Sequence, residues 1–352
     1  MKKFIAIILL SFSIVFAQEK PLSQAEYVKL LYAANTAAKR QDLTETVRKR
    51  GISFVVTEGL RGLTKSKSAN DVDLVRTLDE SNRRRENPTT NVLPSAKEAT
   101  VALEQTRQNT LQAVEEMPDF VAKQLISRGI GYAGTNTFRP QDQLVVAVSF
   151  STEKGEQYKV LTVKGVAVDS KQADNYSGLD GATTGGEFVE DLARIFRSDS
   201  KTEFTLVDTG MLRGRKTIMF DYRILIENSK NDGVGLKGER SSSVPIGRKG
   251  RIFIDRELNR VLRIEFQATD IPTTYEIKKF ESSTDYDWAE IGGEKYLLPL
   301  QSDARFTASW GRELVQSKNL IRFKNYQKFG SEVKILDDDV IIDEEVEKPT
   351  KP

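Results

Sequence analysis

The sequence predicts an α+β protein, in which an N-terminal helical unit is followed by a large, mostly antiparallel β-sheet. Apolar residues recur at every third or fourth position in the first part of the chain, and at every second position from about residue 120 onwards. The strand-like segments then follow one another as hairpins. They lack the regular strand–helix alternation of a doubly wound sheet, so that fold is disfavoured.

The N-terminus is typical of a secretory signal peptide. Met1-Lys2-Lys3 is followed by an apolar run over residues 4–16, and Ala17 stands before a polar residue. A short basic start, a short apolar core and a small residue at the cleavage position define such signals. The run is shorter than the ~20 apolar residues of a membrane-spanning helix. We therefore expect cleavage after Ala17, a periplasmic or secreted protein, and no transmembrane span in what remains.

Residues 18–86 are predicted to form a helical domain. The first helix begins with a capping box at Ser23, whose hydroxyl can accept a backbone N–H of the first turn. The second helix ends at Gly51, after a basic last turn. Thr57 and Asn70 are the predicted N-caps of the next two helices. On the last of these, the spacing places three residues inward: Val72, Val75 and Leu78.

Residues 87–96 contain two prolines and are predicted to be a linker. The domain after it, residues 97–336, opens with a helix that has a capping box at Ser95 and ends before Pro118. A second helix is predicted over residues 185–197, with a capping box at Thr184, as a cover for the sheet. The predicted strands are 144–150, 158–168, 215–227, 251–255, 260–268, 275–280, 284–291, 296–300, 301–310, 319–329 and 332–336, with a long loop at 228–250.

Composition excludes several kinds of active site. The sequence has no Cys and no His, so a Ser-His-Asp triad, a cysteine nucleophile or a Cys/His zinc site cannot form. The formal net charge is only +2, which gives no electrostatic attraction to nucleic acid. Residues 337–352 are rich in acidic side chains and are predicted to be a disordered tail. We expect no cofactor, no metal and no nucleic-acid partner.

Short motifs in the C-terminal half resemble two groups of bacterial proteins. They are RIFID at 251–255, RVLRIE at 260–265, DYD at 285–287, EIGG at 290–293 and FKNY at 323–326. They resemble an uncharacterised family of secreted acidobacterial proteins and, more remotely, LolA-like domains of outer-membrane lipoprotein sorting. The resemblance spans roughly residues 117–330. It implies a curved antiparallel sheet, an incomplete barrel with covering helices, whose concavity holds acyl chains or contacts protein partners.

Three functions remain open. The first is a non-catalytic cell-envelope protein that binds a lipid, another apolar ligand or an extended peptide in the concave face. Its predicted contacts are Phe188, Leu192, Phe196, Tyr222, Phe266 and Trp288. The second is a structural or protein-interaction module with a filled β core and an envelope partner. The third is a hydrolase that uses Asp285 and Asp287, since carboxylates two residues apart on a strand are about 7 Å apart, within the range of catalytic pairs.

Overall fold

The computed structural model describes residues 20–88, 92–135, 137–168, 185–229, 233–236 and 242–329. It contains two compact units that divide between Leu93 and Pro94. The predicted signal peptide, the capping residue Thr184, the strand at 332–336 and the acidic tail lie outside the described residues. None of the described helices is both long enough and apolar enough to cross a membrane.

The described residues of the first unit form four α-helices: α1 (Gln24–Ala33), α2 (Ala37–Arg50), α3 (Glu58–Lys67) and α4 (Val72–Glu86). Ser23 and Thr57 cap α1 and α3 as predicted. The core of this unit contains the fully buried Tyr27, whose hydroxyl lies 2.9 Å from the hydroxyl of Thr64. Tyr27 belongs to a cluster of buried apolar residues that forms a hydrophobic core within this unit.

Helix α4 differs from its prediction at both the cap and the buried face. Its N-cap is Asp71, whose carboxylate accepts the N–H of Leu74. Asn70 instead adopts a positive φ of 58°, a left-handed conformation that asparagine tolerates and that is not that of an N-cap. As a result, Val72 is 61% exposed and Leu74 is buried in its place.

Where the structure describes it, the second unit combines α5 (Ala96–Glu115), α6 (Glu190–Phe196) and thirteen strands. The strands are β1 (Phe120–Tyr132), β2 (Arg139–Ser151), β3 (Gly155–Val163), β4 (Val166–Ala167), β5 (Glu203–Leu212), β6 (Arg215–Ile224), β7 (Gly233–Leu236), β8 (Ser242–Pro245), β9 (Gly247–Asp255), β10 (Val261–Thr269), β11 (Ile277–Ile291), β12 (Glu294–Trp310) and β13 (Glu313–Lys328). Eleven of them form one sheet in the order β4-β3-β2-β1-β13-β12-β11-β10-β9-β6-β5, and β7 pairs with β8 separately. All of these pairings are antiparallel, and within the described residues the sheet is open because β4 and β5 are its two edges. The predicted α+β class, with helices and an open antiparallel sheet, is confirmed.

Several predicted boundaries are wrong. The segments predicted as 275–280 and 284–291 form one continuous strand, β11, and those predicted as 296–300 and 301–310 form β12. The predicted loop at 228–250 contains the β7–β8 hairpin and the start of β9. Strand β6 ends at Ile224, three residues before its predicted end.

Helix α6 begins at Glu190, later than predicted, and has no side-chain cap. The reason is a contact with Glu156, which precedes Gly186 by 30 residues in the chain. The carboxylate of Glu156 on β3 accepts the backbone N–H groups of Gly186 and Val189 at 3.1 and 3.2 Å. The segment before α6 is therefore bound to β3 in a non-helical conformation.

The two faces of the sheet carry different chemistry. One face packs against α5 and α6 and is apolar; its buried residues include Ile218, Phe220, Ile252, Ile254 and Ile264. Side chains alternate along a strand, so the intervening residues lie on the other face. That face carries cross-strand ion pairs, such as Arg251 Nε to Asp221 Oδ1 at 2.6 Å and Lys318 Nζ to Asp303 Oδ2 at 3.3 Å.

Candidate functional site

A pocket of about 270 Å³ lies in the second unit, between the last turns of α5, helix α6 and strands β10 to β12. Its apolar lining includes Val114, Met117, Leu192, Val261, Tyr296 and Leu297. Trp288 also lines the pocket and is 46% exposed, so it lies at the rim. The lining also contains the polar residues Thr110 and Gln112 and four charged residues: Glu116, Arg260, Glu294 and Lys295.

The helical wall of this pocket is held by hydrogen bonds to the turn between β9 and β10. Asn109 Nδ2 donates to the carbonyl oxygen of Asn259 at 3.1 Å. Asn259 Nδ2 donates in return to Gln105 Oε1 at 2.7 Å. About two turns before Gln105 on α5, Glu98 Oε1 accepts a hydrogen bond from Arg256 Nη2 at 2.6 Å. These bonds fix α5 along the turn and so position the residues of its last turns over the sheet.

The sheet wall is set by the β11–β12 hairpin. Gly292 and Gly293 have φ values of 64° and 90°, which a two-residue hairpin turn requires and which glycine adopts without strain. This turn was predicted from the Gly-Gly sequence. It sets the register in which Trp288 pairs with Leu297, so that these two residues lie side by side at the pocket.

The structure brings only two of the six predicted ligand contacts, Leu192 and Trp288, to this pocket. Phe188 is fully buried among aromatic rings, with its centroid 5.2 Å from that of Phe323 and 5.5 Å from that of Phe120. It therefore contributes to the hydrophobic core of the second unit.

The other three predicted contacts are also packed by protein neighbours. Phe196 is fully buried and stacks on Phe204 at 5.9 Å, and Tyr222 is 2% exposed in the same apolar cluster. Phe266 lies in a different cluster, where its ring is 5.0 Å from that of Phe280. Sequence analysis missed the pocket residues of α5, β10 and β12, because only the long-range pairing of these elements brings them together.

Asp285 does not have the properties of a catalytic acid. Its carboxylate accepts hydrogen bonds from Arg263 Nε at 2.6 Å and from Gln301 Nε2 at 2.9 Å. Burial acts to raise the pKa of Asp285, but these bonds outweigh it and lower the pKa below its usual value. Asp287 is exposed, and its Oδ1 accepts the N–H of Trp288 at 2.8 Å. A carboxylate pair of glycosidase type needs one group with a raised pKa, and this pair does not supply it at Asp285.

A carboxyl with a raised pKa is found at Glu156. Glu156 is partly exposed as a whole residue, but its carboxylate accepts hydrogen bonds from the Tyr158 hydroxyl and from two backbone N–H groups. Burial of this group raises the pKa of Glu156, although its donors act to lower it. Burial likewise raises the pKa of Tyr158 well above its usual value. The pair holds the segment before α6 against β3, which is a structural role.

No family model and no curated protein matches this sequence. Solved structures show remote similarity. A LolA superfamily protein from Nitrosomonas europaea is 11% identical, with 62% of this chain and 92% of that chain covered and a TM-score of 0.26. A DUF1329 family protein from Desulfovibrio piger is 11% identical, with 67% and 95% covered and a TM-score of 0.28. The MucA/MucB complex of Pseudomonas aeruginosa is 9% identical, with 63% and 93% covered and a TM-score of 0.18.

The predicted resemblance to LolA-like domains is thus supported only as remote structural similarity. Membership of the secreted acidobacterial group stays a prediction, as does the function that either resemblance implies.

Replacing Asp285 by Asn should destabilise the second unit by about 2 kcal/mol, because the change removes the charge that compensates two arginines. The expected loss lies below that of a fully buried pair, since Arg263 and Arg213 are about one-third exposed. Asp287→Asn is the matched control and should change stability by less than ~0.5 kcal/mol. Both tryptophans, Trp288 and Trp310, lie in the second unit, so urea unfolding followed by tryptophan fluorescence reports on that unit. Equal stability of the two variants would show that the ion pairs of Asp285 do not stabilise the second unit.

Replacing Glu156 by Gln should make the protein more stable relative to the natural one as the pH rises. A raised pKa means that the folded state binds the proton more tightly, so the contribution of Glu156 is present at low pH and is lost as the pH rises through the raised pKa. Glutamine cannot ionise and escapes this loss.

The measurement is urea unfolding of both proteins at several pH values between 4 and 8. The exposed Glu153→Gln variant is the control and should follow the natural protein throughout. A difference between Glu156→Gln and the natural protein that does not change with pH would show that the carboxyl is not perturbed.

Proposed function

We propose that the protein is a non-catalytic binding module that acts outside the cytoplasm and holds one apolar group in the pocket between α5, α6 and β10 to β12. The observation that carries the proposal is that the helices leave this part of the apolar face uncovered. Val261 and Leu192 line the pocket and are buried, whereas Trp288 lines it and stays half-exposed. The signal-like N-terminus supports the location.

The size of the pocket limits the ligand. Its volume of about 270 Å³ lies just below the range of about 300–1,000 Å³ for small-molecule sites. Elsewhere between the helices and this face, Phe188, Phe196 and Tyr222 are packed by the protein itself. The proposed ligand is therefore a short alkyl chain, the end of a longer one, or a single ring, and not a whole lipid.

Apolar contact alone gives weak binding here. A group that removes about 200 Å² of apolar surface from water, counting both partners, gains about 5 kcal/mol. Association itself costs at least about 4 kcal/mol in lost freedom of motion. The net gain is then at most about 1 kcal/mol, so the expected dissociation constant for a purely apolar or neutral ligand is about 0.2 M or higher. The alternative of a protein-interaction module with a filled core predicts no such binding.

Hexan-1-ol is a suitable neutral probe, because it is small enough for the pocket and soluble at millimolar concentration. In a Trp310→Phe background, Trp288 is the single tryptophan and reports on the rim. We expect a change in its fluorescence that grows with probe concentration and stays well short of saturation. Ala113→Phe should abolish that change, because Ala113 lines the pocket and the larger ring fills it. Gln108→Phe, on an exposed position of the same helix, is the control and should bind as the parent does.

Two results would overturn the proposed function. One is the absence of any concentration-dependent change with hexan-1-ol and with its charged analogues. The other is a change that persists unaltered in Ala113→Phe, since the probe would then bind elsewhere. Urea unfolding of Ala113→Phe and Gln108→Phe establishes that both variants are folded.

A further inference from the structure

Arg260 differs from the arginines around it. It stands directly before β10, is half-buried and lines the pocket. Its Nη1 donates to the backbone carbonyl oxygen of Asn109 on α5. Within the described parts of the chain, this is the single hydrogen bond of its guanidinium, and no carboxylate lies within ion-pair distance. A guanidinium carries five N–H donors, so most of its donors remain available.

Neighbouring arginines have the carboxylate partner that Arg260 lacks. Arg251, Arg256 and Arg263 each have a guanidinium nitrogen 2.6 Å from a carboxylate oxygen. Arg260 stays protonated in a protein, so its charge persists in a partly desolvated site. Burial accordingly lowers the pKa of Arg260, with the charge of Glu116 opposing that effect. An anion that accepts hydrogen bonds from the remaining N–H groups would recover the free energy that Arg260 loses by desolvation.

The remaining charges of the pocket restrict what that anion can be. Glu116, Glu294 and Lys295 are all exposed, so water and salt screen them more than they screen Arg260. Glu116 Oε1 accepts a hydrogen bond from Gln112 Nε2 at 2.8 Å. With Arg260 the lining holds two cations and two anions. A singly charged head group therefore matches the single half-buried cation, whereas a doubly charged phosphate would bring one charge that this cation does not compensate.

We infer that the pocket selects a small amphiphile of the fatty-acid type, with its alkyl chain against Leu192, Val261 and Tyr296 and its carboxylate hydrogen-bonded to Arg260. This inference rests on the proposed function and adds the charge and chemistry of the head group. Planar carboxylates suit arginine because two parallel N–H groups can bind both oxygens.

The test compares three six-carbon probes that differ only in the head: hexanoate, hexan-1-ol and hexylammonium. At pH 8 in the Trp310→Phe background, hexanoate should bind at least about tenfold more tightly than hexan-1-ol, because a hydrogen bond to a charged group adds about 1.5–3 kcal/mol. Hexylammonium should bind most weakly. Arg260→Met should lower the affinity for hexanoate about tenfold and that for hexan-1-ol by clearly less, because a hydrogen bond to a neutral hydroxyl is weaker than one to a carboxylate. Arg260→Lys, which keeps the charge, should retain part of the preference.

The outcomes separate this inference from the proposed function. Equal binding of hexanoate and hexan-1-ol to the parent, with both lost in Ala113→Phe, overturns the inference and leaves the apolar pocket in place. A preference for hexanoate that survives in Arg260→Met overturns it as well. Absence of binding for all three probes overturns both proposals. If Arg260→Met fails to fold, the comparison of the three probes on the parent and on Arg260→Lys still tests whether Arg260 binds the carboxylate.

Discussion

The attachment of α5 to the β9–β10 turn is the interaction on which the second unit most depends. Small buried residues, Ala99 and Ala102, let the helix approach the sheet closely, and side chains at Glu98, Gln105 and Asn109 bind the turn. These contacts are made by the first two-thirds of the helix. Its last turns extend beyond them over β10 to β12, where the face of the sheet is not completely covered. The pocket is therefore a consequence of where the helix is held.

The opposite face of the sheet explains why acidic residues of this sequence resemble a catalytic pattern. An eleven-stranded open sheet exposes a wide surface, and cross-strand ion pairs keep that surface hydrated and poorly suited to association. Asp285 belongs to this set through Arg263. Acid spacing along one strand cannot distinguish a proton donor from a member of an ion pair, because the distinction depends on the residues of the neighbouring strands.

Local signals in the sequence predicted the elements that local chemistry decides. The change of period near residue 120, the caps at Ser23, Thr57 and Ser95, and the Gly292-Gly293 turn are all present. The start of α6 could not be predicted, because Glu156 on another strand binds the N–H groups that a helix would use. The pocket, and the position of Arg260 in it without a carboxylate within ion-pair distance, depend on contacts between residues more than 180 positions apart. The periodicity of the sequence does not reveal contacts of this kind.

The strand order has a consequence for biosynthesis. At the middle of the sheet, β1 pairs with β13, so Phe120 lies opposite Lys328. This pairing closes a loop of roughly 200 residues, and such distant contacts form late and slowly. The sheet cannot be completed until β13 has been synthesised, and until then one edge of β1 has no hydrogen-bonding partner strand. Pairing of β13 with β1 is therefore the step that completes the native fold of the second unit.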